Sequence, residues 1–194
     1  MNQVLESYEI EVRPSTAGFS EGLDIENNSF AKFWFNGLSD HLEIAVKAVV
    51  CTYCTNPYNG LLDNDTDRLP LRINNNRSIL RTYLESGDKL KTRDLEVLGV
   101  LVTELVAESE NNTLKFLSLL TERLYTSIEK ESRTEPGIRS PYETLCTGKG
   151  ACRDLAIIFI AACHQVGIPA RFVSGYQEGN PAVPHWDLRA WAEV

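Results

Sequence analysis

One stretch constrains the fold more than any other. Residues 152–166 read as a helix that is apolar on nearly every side and is stopped by Gly167 and Pro169. A helix without a polar face has to be covered from more than one direction, so other layers must pack around it. Its longest nearly apolar run, 155–163, is nine residues. A bilayer crossing needs about 20. The segment is a core helix.

The flanking patterns supply candidate layers. Residues 170–176 form a short strand pattern, then a loop with Gly179 and Pro181, then a second strand pattern over 188–194. Leu155, Phe159 and Cys163 are expected to be buried, with the last strand antiparallel to the one before it. That pairing would bring position 189 towards Cys152. Upstream, Thr92 is placed to cap a helix whose apolar positions Leu95, Leu98, Leu101, Val102, Leu105 and Val106 recur at three and four. Asn112 is placed to cap the next, with Leu117, Leu120, Leu124 and Ile128 on one stripe. Ser140-Pro141-Tyr142-Glu143 is a compact helix start that should end at Gly148 and Gly150.

The first third reads as sheet. Tyr8, Ile10 and Val12 alternate with glutamates, and 42–50 hold period two, the mark of a half-buried strand. Asn27-Asn28-Ser29, Asn36-Gly37 and Asn59-Gly60 punctuate these runs. Residues 55–77 turn polar and carry Pro57 and Pro70. The expected organisation is an N-terminal β region over 1–60, a connection over 61–90 and a core over 91–194. The class is α+β.

Composition removes several kinds of function. A net charge of −8 with no basic cluster argues against nucleic acid and membranes as partners. No Lys/Arg-led apolar stretch opens the chain, so a cytoplasmic location is expected. Five cysteines, at 51, 54, 146, 152 and 163, are an odd and unevenly spaced set that suits a reducing compartment. Cys51 and Cys54 spell C-x-x-C without a second pair at zinc spacing. Asp63, Asp65 and Asp67 imitate a calcium loop, but Arg68 stands at its glycine and Asn74 at its glutamate. No metal or other cofactor is expected.

Cys152 is the residue whose placement points to chemistry. It follows the flexible Thr147-Gly148-Lys149-Gly150 and opens the core helix. Unpaired N–H groups and a partial positive charge at a helix start favour a thiolate, and can hold an oxyanion formed when it attacks a carbonyl. A thiol nucleophile needs a base, and the chain has three histidines. His164 is twelve residues along the same helix, roughly 18 Å away at about 1.5 Å per residue. His41 belongs to the β region. His185 is left as the geometrically open candidate.

Two strings carry a family resemblance: Gly150-Ala151-Cys152-Arg153-Asp154-Leu155-Ala156, and Gly167-Ile168-Pro169-Ala170-Arg171-Phe172-Val173-Ser174-Gly175-Tyr176. They resemble the core of bacterial transglutaminase-like proteins of the cysteine-protease type, and Ala190-Trp191-Ala192-Glu193-Val194 is similar to the strand that follows there. The resemblance is strong over 140–194 and looser through Asn28-Ser29-Phe30 and Asn56-Pro57-Tyr58. It implies a papain-like arrangement in which a cysteine at a helix start works with histidine and aspartate on neighbouring strands. The implied activity is a hydrolase or acyl transferase acting on amide bonds of a peptide or protein substrate through a thioester.

Carried over residue by residue, Cys152 matches the nucleophile. The family histidine precedes Ala-Trp, and that position holds Arg189. The family aspartate would lie on a further strand beyond Val194, so the expectation is a chain cut off within its core. A guanidinium stays protonated at any physiological pH, so Arg189 is no base but a fixed positive charge. His185 lies four residues earlier, about 13 Å along an extended strand. The alternative is a non-catalytic binding or structural module that keeps the fold without the histidine.

Overall fold

A computed structural model describes residues 3–26, 28–53, 62, 66–72, 78–84, 90–133, 135–176 and 188–194. The chain divides into two units, Met1–Gly60 and Leu61–Val194. Its class is α+β, with antiparallel strands first and a mixed helical and sheet core after them.

In the first unit, β1 (Gln3–Arg13) pairs antiparallel with β4 (Glu43–Thr52), with a bulge between Leu5 and Ser7. Between them in sequence, β2 (Gly18–Leu23) and β3 (Ser29–Trp34) form a separate antiparallel pair, on which Phe19 and Phe33 stack at 6.2 Å. The turn joining β2 to β3 is tied by Asp24. Its carboxylate accepts from the backbone N–H groups of Glu26 and Asn28 and from Asn28 Nδ2. The Asn28 side chain, then its backbone, holds that carboxyl below the usual range. The alternation over 42–50 does form a strand, but not a half-buried one. Ile44, Val46 and Val50 remain about half exposed. A two-stranded ribbon brings no second layer of its own to cover an apolar face.

The first helix of the second unit is α1 (Ser78–Thr82), followed by α2 (Thr92–Glu108) and α3 (Thr113–Ser127). The α2–α3 turn uses Glu110 and Asn111 at positive φ, and Asn112 Oδ1 accepts from Lys115 N–H as the cap of α3 (2.9 Å). Thr92 is not the cap of α2. The helix begins one residue earlier, with Lys91 at the cap position, and Asp94 Oδ2 accepts the Lys91 N–H (3.0 Å). The carboxylate at the third helical position thus ties down the N–H of the cap residue itself, the reciprocal half of a capping box.

Next, β5 (Glu129–Lys130) lies parallel to β6 (Lys149–Gly150), and α4 (Pro141–Thr147) sits between them in sequence. Ser140 and Glu143 form the expected reciprocal cap, and Gly148 ends α4 in the left-handed region. The core helix is α5 (Cys152–Gln165), and β7 (Arg171–Tyr176) and β8 (Leu188–Glu193) pair antiparallel after it. It packs against α2, α4 and β8.

Leu98, Leu105, Phe116, Leu120, Ile158 and Cys163 are fully buried and hold the elements together. Leu155 and Phe159, expected inside, sit half-buried on the margin of this cluster. The segment before α1 is not a free connection. Leu69 is buried and donates its N–H to Asn111 O, while Leu71 N–H bonds Val166 O.

Gly167 makes that last contact possible. It stands at φ +77, and a Cβ there would lie 2.3 Å from Leu71 O. Gly167→Ala is therefore expected to lower stability by about 2 kcal/mol or more, read as a shifted midpoint in urea. A shift of only a few tenths would show that the 66–72 segment gives way.

Candidate active site

Cys152 occupies the first turn of α5, as the sequence pattern requires, and its side chain is half-buried. Among the described residues, neither its thiol nor its N–H has a hydrogen-bond partner. Its neighbours along the chain are tied down. Gly150 packs where a Cβ would meet Thr144 and Leu155 at about 3 Å. Gly150 O accepts from Glu131 N–H (2.9 Å), extending the parallel β5–β6 bridge to the residue two before the cysteine.

The third residue of α5 is a buried carboxylate. Asp154 is 0% exposed, and its oxygens accept from Ala151 N–H (2.9 Å), Arg139 N–H (2.8 Å) and Arg133 Nη2 (2.9 and 3.0 Å). On the other side Arg153 donates to the carbonyls of Gly137 (2.7 Å), Glu135 (2.5 Å) and Arg133 (3.4 Å). Arg139 Nη1 reaches Glu131 Oε2 (2.6 Å) and Lys149 O (3.2 Å). The stretch from 131 to 140 is thereby closed over the helix start. Neither Arg153 nor Asp154 is among the site residues expected from the sequence, although an acid at the third position of a helix is a capping signal.

The strand positions follow from register. Arg189 lies in β8 opposite Gly175, on the same face as Trp191, which packs over Gly175. The helix of Cys152 packs against the strand of Arg189. His185, with the Pro184 loop around it, lies outside the described residues, as do Cys54, Asp63, Asp65 and Asn74. His164 is at the far end of α5 with its Nε2 3.1 Å from Ala170 O. His41 belongs to the first unit and pairs with Asp40 at 2.6 Å.

The remaining described thiols differ sharply. Burial pushes Cys163 up to about 12. Cys51 donates to Glu6 Oε1 (3.0 Å), and that bond, with some burial, raises its pKa. Cys146 is exposed on α4. Among the described residues, no group of three or more His, Cys, Asp or Glu could hold a metal ion. No described helix is long and apolar enough to cross a membrane.

Comparison with known proteins gives two findings. Residues 101–194 match the family described as transglutaminase-like superfamily. The crystal structure of a "Putative Cysteine Protease" from Cytophaga hutchinsonii superposes with a TM-score of 0.63 at 20% identity, over 99% of this chain and 62% of that one. At that identity the likeness is one of fold, and the chain spans 62% of the length of the protein it resembles. No curated protein matches the sequence.

Proposed function

We propose, from the match of residues 101–194 to the transglutaminase-like superfamily, that the chain is a thiol enzyme acting on amide bonds of peptides or proteins. Cys152 is the nucleophile. The observation that carries this reading is its place at the start of α5, with its thiol and N–H without a partner among the described residues while its neighbours on both sides are held. Attack by Sγ on an amide carbonyl forms a C–S bond and an oxyanion, to which the N–H of the first turn can donate. Collapse breaks the C–N bond, the amine leaves with a proton, and a thioester remains. Water or a second amine then takes the acyl group and restores the thiol.

Arg189 contributes charge to this scheme and not proton transfer. His185, just before β8, is the base candidate. The second reading, a binding module that retains the fold, is favoured by one specific feature, the arginine at the histidine position before Ala190-Trp191.

Thiol chemistry separates the two. Iodoacetamide at pH 6.5 is expected to label Cys152 first. Cys163 should stay unlabelled, because a buried thiol with a pKa of about 12 is not ionised there. Cys51 should be slow because its bond to Glu6 raises its pKa. Peptide mapping that finds Cys152 no faster than the exposed Cys146 would defeat the nucleophile reading.

A further inference from the structure

Resting on the thiol-enzyme reading, we propose that Asp154 is a positioning residue for Cys152: its buried carboxylate locks the first turn of α5 onto the 131–140 segment and so fixes where the thiol and the free N–H point. Capping the helix would need one acceptor for one N–H. Glu143 does that for α4 with a single bond to Ser140 N–H, at the surface. Asp154 instead gathers donors from three parts of the chain, the backbone of Ala151 and of Arg139 and the guanidinium of Arg133. A fully buried carboxylate is costly unless it is both paired and hydrogen-bonded, and here it is both.

The geometry around it is two-sided. Asp154 holds Ala151, the residue before the cysteine. The side chain of Arg153, the residue after it, is held by the carbonyls of Gly137, Glu135 and Arg133. Among the described residues, the thiol and N–H of Cys152 are without a partner between two fixed neighbours. A nucleophile misplaced by about 1 Å loses on the order of a hundredfold in rate, so a lock on that turn bears directly on chemistry.

The sign of one experiment decides the role. If Asp154 acted through its charge, removing it would make a thiolate two residues away easier to form, and Cys152 would react faster. If it acts by position, Cys152 reacts more slowly. Full-length protein and Asp154→Asn are treated with iodoacetamide, with Cys146 as internal reference. Hydrogen exchange over 149–155 is followed in parallel.

The expected result is a Cys152 rate about tenfold lower in Asp154→Asn, an unchanged Cys146 rate, and faster exchange confined to the Ala151 N–H that Asp154 holds. An unchanged or faster Cys152 overturns the proposal, and so does a slower one whose exchange protection is lost across the whole of 149–155, because the role is then structural. Should Asp154→Asn fail to fold, Arg133→Lys keeps the charge but cannot reach both oxygens in the same way. The same loss is expected there, and an unchanged rate overturns the proposal. If Cys152 in the unaltered chain is no faster than Cys146, the thiol-enzyme reading itself fails and this inference falls with it.

Discussion

Cys152→Ala is expected to reduce amide turnover to background, and Arg189→His to raise it. The first follows because no thioester forms without Sγ. The second follows from proton bookkeeping. A thiol and a leaving amine need a group that takes a proton and returns it, and general acid–base catalysis of this kind contributes roughly 10²–10⁴-fold. A guanidinium supplies none of it. An imidazole at 189, on the strand that α5 packs against, would restore part of that factor. The gain should be about tenfold or more. It should stay below the full range because an imidazole also needs a partner to hold its tautomer.

The assay is thiol-dependent release of amine from a peptide amide or a glutamine amide, with Cys152→Ala as control. His185→Ala tests the competing assignment. If the unaltered chain already turns over well and His185→Ala abolishes it, His185 is the base and Arg189 has another task. If neither the chain nor Arg189→His turns over while a peptide binds, the binding-module reading takes its place.

What could be read in the sequence was what local chemistry decides. Asn112 and Ser140 cap helices because their oxygens reach N–H groups three residues on, and the triplets that do this are visible in a string of letters. The lack of a polar face on α5 is equally local, and it marks a core helix. Arg189 could be placed on a strand by alternation. The failures were long-range. The β1–β4 pairing skips the whole β2–β3 hairpin, and a two-residue parallel bridge such as β5–β6 leaves no periodicity to see. Thr92 offers a hydroxyl in a plausible place for a cap, but Lys91 holds that position and Asp94 accepts its N–H, while the other Asp94 oxygen accepts the Tyr142 N–H from another helix (2.9 Å).

The candidate site divides in the same way. Cys152 was legible from its glycines and from the helix that follows. The grip on it was not, because Arg133 and Arg139 reach Asp154 from 21 and 15 residues away. Nothing in their local sequence marks them apart from the chain's other arginines. A motif names the residues that touch each other along the chain. It is silent about the donors that arrive from a loop.

The largest stability effect should come from Phe116, and contrasting it with Val46 shows why hydrophobic pattern alone misleads. Val46 reads as inward-facing on an alternating strand, whereas the stripe expected on α3 begins at Leu117, one residue after Phe116. Phe116 is 0% exposed among Leu98, Leu105, Leu120 and Ile158, whereas Val46 is 56% exposed on a two-stranded ribbon. Phe116→Ala removes a ring from a closed core, and large-to-small changes of that kind cost about 3–5 kcal/mol, transfer and cavity terms together. Against a usual total of about 5–15 kcal/mol, the second unit would lose much of its margin. Val46→Thr exchanges one β-branched side chain for another of similar shape on an open face, and should stay within about 0.5 kcal/mol. Urea unfolding followed by far-UV circular dichroism reads both. The expected result is a strongly lowered midpoint for Phe116→Ala and none for Val46→Thr. A large loss from Val46→Thr would mean that the β1–β4 face is covered in solution, and a small loss from Phe116→Ala would mean that the α2–α3–α5 core collapses around the missing ring.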